Sequence, residues 1–301
     1  MDYSEISKTF MKSTKRTVKF KRLFYNESMR KIFYFICLLF LICMNCSLSS
    51  AQNCTESPIR IEHQTIYSEN LYKDLLFDVY VPPCLDERII GGYPVVYLLH
   101  GQSMGIEVWE EMELDSIIRG VLNQTDTPLF LTVVPQEDEY LLSMALSGYE
   151  EAFLDELIPW IDTHYNTCKE RGCRSLGGLS RGALWAEKIA FEHPDLFSSI
   201  GLLSMPGTFT DEHSLYFMAE KQEEDQKFRI RMDTGYDDRY RHDGGEAAAQ
   251  LTFIGYSYEY NIEPGSHDED YWQSQLADYF IWFSKSWKDA QSFSAITQTA
   301  E

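Results

Sequence analysis

Positive charge is scarce in this chain, with 26 Lys+Arg against 47 Asp+Glu in 301 residues and a formal net charge of −21. Residues 1–51 hold nine of the basic residues and three of the acids, which leaves 17 basic and 44 acidic residues, a formal −27, for the remainder. A field of that sign repels phosphate backbones and anionic headgroups, so it argues against nucleic acid and against a stable membrane partner. Long apolar runs are also missing. The longest, Ile32 to Met44, has thirteen residues, short of the roughly twenty a membrane span needs. The cysteines after residue 51 include no Cys-x-x-Cys pair, which removes the usual zinc framework there, and four contiguous candidates from His267 to Asp270 cannot readily converge on one ion. Metal binding is therefore not expected. Internal repeats, low-complexity linkers and an appended carbohydrate-binding module are absent too.

What the N-terminus has is the three-part pattern of a secretory signal. Arg30-Lys31 precede the apolar run, and the polar stretch from Asn45 ends with Ser49 and Ala51 as the small residues a signal peptidase requires. The reading is a basic leader 1–28, with Met29 the expected initiator, a signal peptide 29–51 cleaved after Ala51, and a secreted or periplasmic protein that starts at Gln52. A lipoprotein centred on Cys46 fits less well because Asn45 is bulky; a retained signal anchor is the other alternative. Seven cysteines are present, and Cys37, Cys43 and Cys46 fall in the signal. The remaining four, Cys54, Cys84, Cys168 and Cys173, allow three pairings. An oxidising compartment favours bridges, and the expected pairs are Cys168 with Cys173 and Cys54 with Cys84.

Chemistry enters at Gly178-Leu179-Ser180-Arg181-Gly182, which lies between a β-rich run, Arg174 to Leu179, and a helical run from Ala183. In that setting the serine occupies a strained strand-to-helix elbow that presents its hydroxyl, and small neighbours are needed around the bend. The bare pattern recurs by chance in unrelated chains, so partners must be found. A serine hydroxyl needs a histidine to take its proton and a carboxylate to hold the imidazole, in the order Ser, acid, His. Of the four histidines downstream, His267 lies in a loop directly after the run Tyr256 to Ile262. His193, His213 and His242 read as surface or helix-end residues. Phe228 to Met232 alternates as a half-buried strand does, and Asp233, Asp237 and Asp238 follow it; periodicity cannot choose among them, and aspartates are common in turns. Upstream, Tyr93 to Gly101 is an apolar strand ending in His100-Gly101. The amides of Gln102 and Arg181 are the expected oxyanion donors, with His100 ordering their loop.

These motifs together resemble the esterase family of the α/β-hydrolase superfamily, which includes feruloyl and acetyl-xylan esterases, enterochelin esterases, S-formylglutathione hydrolase and mycolyltransferases. The resemblance is carried by Val79 to Pro83, Pro94 to Gly101, Glu156 to Asp162, Gly177 to Gly182, His193 to Phe197, and His267 with Trp272. It implies a catalytic set of Ser180, His267 and the last residue of a Gly-x-x-Asp turn, here Asp238, with Asp237 in reserve. Two departures stand out: Arg181 where relatives often carry methionine, and Ala183 where a second glycine is frequent. No cofactor is implied. The implied activity is exported serine carboxylic-ester hydrolysis through an acyl-enzyme, on small-molecule or carbohydrate-linked acyl or aryl esters. Acyl transfer to a sugar or lipid alcohol would use the same residues. A secreted, non-catalytic binding protein on this fold is the rival from another class, and the complete Ser, Asp, His set weighs against it.

Apolar strand candidates alternate with amphipathic helix candidates: strands Leu76 to Val81, Val95 to His100, Phe130 to Val134, Arg174 to Leu179, Ile200 to Ser204, Phe228 to Thr234 and Tyr256 to Glu263, and helices Glu150 to His164, Ala183 to Glu192 and Tyr271 to about Trp287. Such alternation predicts a single α/β domain, 52–288, with a mostly parallel central sheet and helices on both faces. Trp272, Leu276, Tyr279 and Phe283 form a core stripe on the last helix. The tail 289–301 lacks an apolar period and is expected to be flexible. Loops Ser103 to Glu113, Gln136 to Tyr149 and Gly207 to Glu224 should rim the pocket, and the acid-rich stretches at Glu110 to Glu113, Gln136 to Glu139 and Glu223 to Asp225 read as solvated faces.

Overall fold

Strands built from unbroken apolar runs belong in the middle of a sheet, where both faces are covered. The computed structural model describes residues 57–298 except 87, 125–126, 138–146 and 208–221, with the backbone alone for 288–298. Its strands are β1 (Arg60–Ser68), β2 (Lys73–Val81), β3 (Val95–Leu99), β4 (Leu131–Pro135), β5 (Arg174–Leu179), β6 (Ser199–Leu203), β7 (Arg229–Gly235) and β8 (Tyr258–Glu263). They form one sheet in the order β1-β2-β4-β3-β5-β6-β7-β8. The pairs β1/β2 and β2/β4 are antiparallel; every other neighbour is parallel. The central β3, β4, β5 and β6 are buried at every residue.

Helices cover both faces. They are α1 (Glu107–Glu111), α2 (Leu114–Leu122), α3 (Ile158–His164), α4 (Arg181–Glu192), α5 (Arg241–Phe253) and α6 (Glu269–Gln298). A π-type stretch, Ala152–Leu157, feeds α3 just before Pro159, a residue that cannot donate to an ordinary helical ladder. One core joins α3, α4 and α5 to the sheet through Phe153, Ile161, Trp185, Ile189 and Leu251. The other joins α1, α2 and α6 through Trp109, Ile118, Trp272, Tyr279 and Phe283. Each fully buried side chain of this size contributes roughly 1.5–3 kcal/mol. The α6 stripe read from the sequence is thus core, with Phe283 fully buried.

Several expectations change. α6 continues to Gln298, well past Trp287 and into the stretch expected to be flexible. Extending an existing helix needs no new nucleus, so its backbone outlasts the apolar period. The loop expected from Ser103 to Glu113 contains α1. The helix after Ser180 begins at Arg181, two residues before its expected start. Glu137, read as part of a solvated face, is 3% exposed and ion-paired to Arg181. Cys168 and Cys173 are joined by a disulfide just ahead of β5. Cys84 is also disulfide-bonded; Cys54, the signal segment, His213, and most of the loops after Gln136 and Gly207 lie outside the described residues. Among the described residues no helix is long and apolar enough to cross a membrane.

Candidate active site

Parallel strands in one sheet send their C-terminal ends to the same edge, and ligands of open α/β sheets bind there. The loops after β3, β5, β7 and β8 place Gln102, Ser180, Asp238 and His267 at that edge. Ser180 bridges β5 and α4 with φ +53° and ψ −119°, a backbone conformation that costs a non-glycine residue free energy. Two glycines make the bend physically feasible. A Cβ on Gly178 would fall 2.3 Å from Gly182 carbonyl carbon, and one on Gly182 would fall 2.0 Å from Leu99 oxygen. The Ser180 N–H donates to Leu203 oxygen at 2.8 Å, which ties the elbow to the end of β6.

His267 Nε2 lies 3.0 Å from Ser180 Oγ, and its Nδ1 lies 3.1 Å from Asp238 Oδ2. The two loops meet because their backbones touch: a Cβ on Gly235 would fall 2.4 Å from Gly265 oxygen, and the Asp237 N–H donates to that same oxygen at 2.9 Å. The turn leaves Asp237 exposed and directs Asp238 inward, with its side chain fully buried. Asp233 is also buried, but its carboxylate is engaged by Arg231 Nε at 2.9 Å. Burial raises the proton affinity of Asp238, yet hydrogen bonds from His267, Ser204 and the Tyr240 N–H outweigh it and hold the carboxyl below its ordinary range. The Tyr240 bond measures 2.7 Å. The His267 ring is held edge-on between Tyr240 and Trp272, with centroids 4.9 and 5.0 Å away.

The loop after β3 runs beside the elbow, since a Cβ on Gly101 would lie 3.5 Å from Ser180 Cβ. Among the described residues neither the Gln102 nor the Arg181 N–H has a hydrogen-bond partner. His100 is 2% exposed; its Nε2 accepts the Glu137 N–H at 2.8 Å, so Nδ1 carries the proton and donates to Gly101 oxygen at 2.8 Å. Burial lowers its proton affinity, only partly offset by that carbonyl, and the neutral ring pins the loop. The Arg181 guanidinium turns to Glu137, Nε to Oε1 at 2.7 Å.

The other histidines sit elsewhere. His193 is 3.4 Å from Glu150, and His242 is exposed beside Glu246. In the acidic run after His267, Asp268 caps α6 by accepting the Tyr271 N–H at 3.0 Å, and Glu269 and Asp270 fill the first helical turn, where negative charge is favoured. Ser204 and Trp272 are contacts the sequence did not single out as site residues. Ser204 read as a strand end and Trp272 as core; the one available signal was the position of Trp272 five residues after His267.

A mostly parallel sheet with a serine on a strained strand-to-helix turn defines the α/β-hydrolase class. The chain belongs to its esterase family, whose model, described as "Putative esterase", matches residues 68–283. A curated relative, an endo-1,4-β-xylanase/feruloyl esterase of Xylanibacter ruminicola, is 28% identical over 162 residues. That match spans 50% of this chain and 22% of the relative's length. Among solved structures, a ferulic acid esterase superposes with TM-score 0.69 at 22% identity, over 76% of this chain and 99% of that one. An S-formylglutathione hydrolase from Staphylococcus aureus gives TM-score 0.65 at 17% identity, over 76% and 100%. A ferulic acid esterase from Anaeromyces mucronatus, in complex with ferulic acid, gives 0.65 at 17%, over 77% and 92%.

Proposed function

We propose that the protein is an exported serine carboxylic-ester hydrolase that works through an acyl-enzyme. The observation that carries this reading is the strained Ser180, with its Oγ 3.0 Å from His267 Nε2. Asp238 accepts the Nδ1 proton, which fixes the tautomer in which Nε2 is free to take a proton from Ser180. Ser180 Oγ attacks the ester carbonyl while His267 removes its proton, and the Gln102 and Arg181 amides receive the developing oxyanion. Collapse of the tetrahedral intermediate expels the alcohol, which takes the proton from His267. Water then attacks the acyl-enzyme by the same route, releasing the acid and restoring Ser180.

For the substrate, the names of the relatives favour aryl esters of the feruloyl type, linked to sugars or other small alcohols. Export is supported by the signal pattern at 29–51 and by the Cys168–Cys173 disulfide. Purified protein should be assayed on acetyl, butyryl, feruloyl and triacylated catecholate esters. Turnover of the feruloyl ester above the others supports the reading; no turnover of any member counts against it.

A further inference from the structure

Beside His267 lies a buried polar contact whose hydrogen-bond direction is forced. The Trp272 Nε1–H donates to Ser204 Oγ at 3.0 Å. An indole N–H can only donate, so the hydroxyl oxygen accepts. Asp238, on the Nδ1 side of the imidazole, receives the Tyr240 N–H and His267 Nδ1–H.

Ser204 is fully buried and 50° into positive φ, directly after β6, with its N–H bonded to Asp233 oxygen at 2.8 Å. Glycine would occupy that backbone conformation with less strain. A serine there is accounted for by its hydroxyl. Trp272, 2% exposed, also packs edge-on against the His267 ring. One side chain thus touches the base and is itself held by Ser204.

We infer that Ser204 and Trp272 are positioning residues for the reaction: Ser204 fixes the Trp272 indole, whose edge-on contact holds the His267 ring between Ser180 and Asp238. The inference rests on the esterase reading above. Its cost, a strained serine beside the site, is of the kind functional sites retain.

The test uses Ser204→Gly, which removes the hydroxyl and relaxes the backbone, and Trp272→Phe, which removes the donor and keeps a ring. Circular dichroism and thermal melts establish folding, and steady-state kinetics are run on whichever ester the wild type turns over best. Ser204→Gly should stay folded and lose about two- to tenfold in kcat, the scale of a neutral hydrogen bond, with KM within about threefold. Trp272→Phe should lose severalfold in kcat in the same manner. Fluorophosphonate labelling of Ser180 should slow in parallel. Wild-type kcat in Ser204→Gly overturns the inference, as does a loss carried by KM; if that variant fails to fold, unchanged kcat in Trp272→Phe overturns it. A wild type that neither hydrolyses esters nor labels would instead defeat the esterase reading.

Discussion

The Cβ that Gly182 lacks would fall 2.0 Å from the carbonyl oxygen of Leu99. Backbone on both sides of that contact cannot step aside as a flexible side chain can. Gly182→Ala should therefore push α4 off the end of β3 and displace Ser180. Overpacking of a tight site typically costs about 1–3 kcal/mol, which for a domain of this size corresponds to a melting temperature roughly 2–12 °C lower. Ester turnover should fall by at least tenfold as the hydroxyl moves. An alanine variant with wild-type melting and turnover would contradict the packing argument.

The choice among three aspartates is open to a direct comparison. Asp238→Asn should lower kcat by orders of magnitude, since an amide can favour the wrong histidine tautomer. Asp237→Asn should change little, because that side chain is exposed. Asp233→Asn should act through stability, by stranding Arg231 Nε. Kinetics of the three folded variants decide the matter: loss of kcat in Asp237→Asn with activity kept in Asp238→Asn would move the role.

These aspartates also mark where sequence reasoning stopped. The alternation of Phe228 to Met232 was readable, but a period of two cannot say which residue of the following turn faces inward. That is set by the contact between Gly235 and Gly265, 30 positions apart in the chain. Four elements escaped altogether: α1, α2, β1 and α5. β1 is a polar edge strand with little apolar content, and α5 packs through Gly244, Ala247, Ala248 and Leu251 rather than through a broad apolar stripe. The elbow was legible because strand, small residues and helix are all local.

Glu187, on the helix that follows Ser180, is fully buried, and among the described residues neither carboxylate oxygen has a hydrogen-bond partner. Burial pushes its carboxyl up from 4.5 to about 8. The folded state therefore holds a proton that the unfolded chain releases, so stability falls as pH rises from about 4.5 to about 8 and levels off above. Glu187→Gln is neutral at every pH. Its melting temperature relative to wild type should rise from pH 5 to pH 9 by several degrees; parallel curves would contradict the assignment.

Bridging of the cysteines is testable without structure. Peptide mapping of unreduced protein should recover Cys168 joined to Cys173, and Cys84 joined to Cys54. Quantitative alkylation of these four thiols before reduction would count against both bridges and against an oxidising compartment.

Nucleophilic attack by Ser180 is the claim on which the rest depends. A fluorophosphonate probe forms a stable adduct only with an activated serine, so wild-type protein should gain one adduct per chain, mapped by peptide mass to Ser180, with simultaneous loss of ester turnover. Ser180→Ala should fold normally, take up no probe, and lose several orders of magnitude in kcat. Folded Ser180→Ala with near-normal turnover, or an adduct on another residue, would contradict the account.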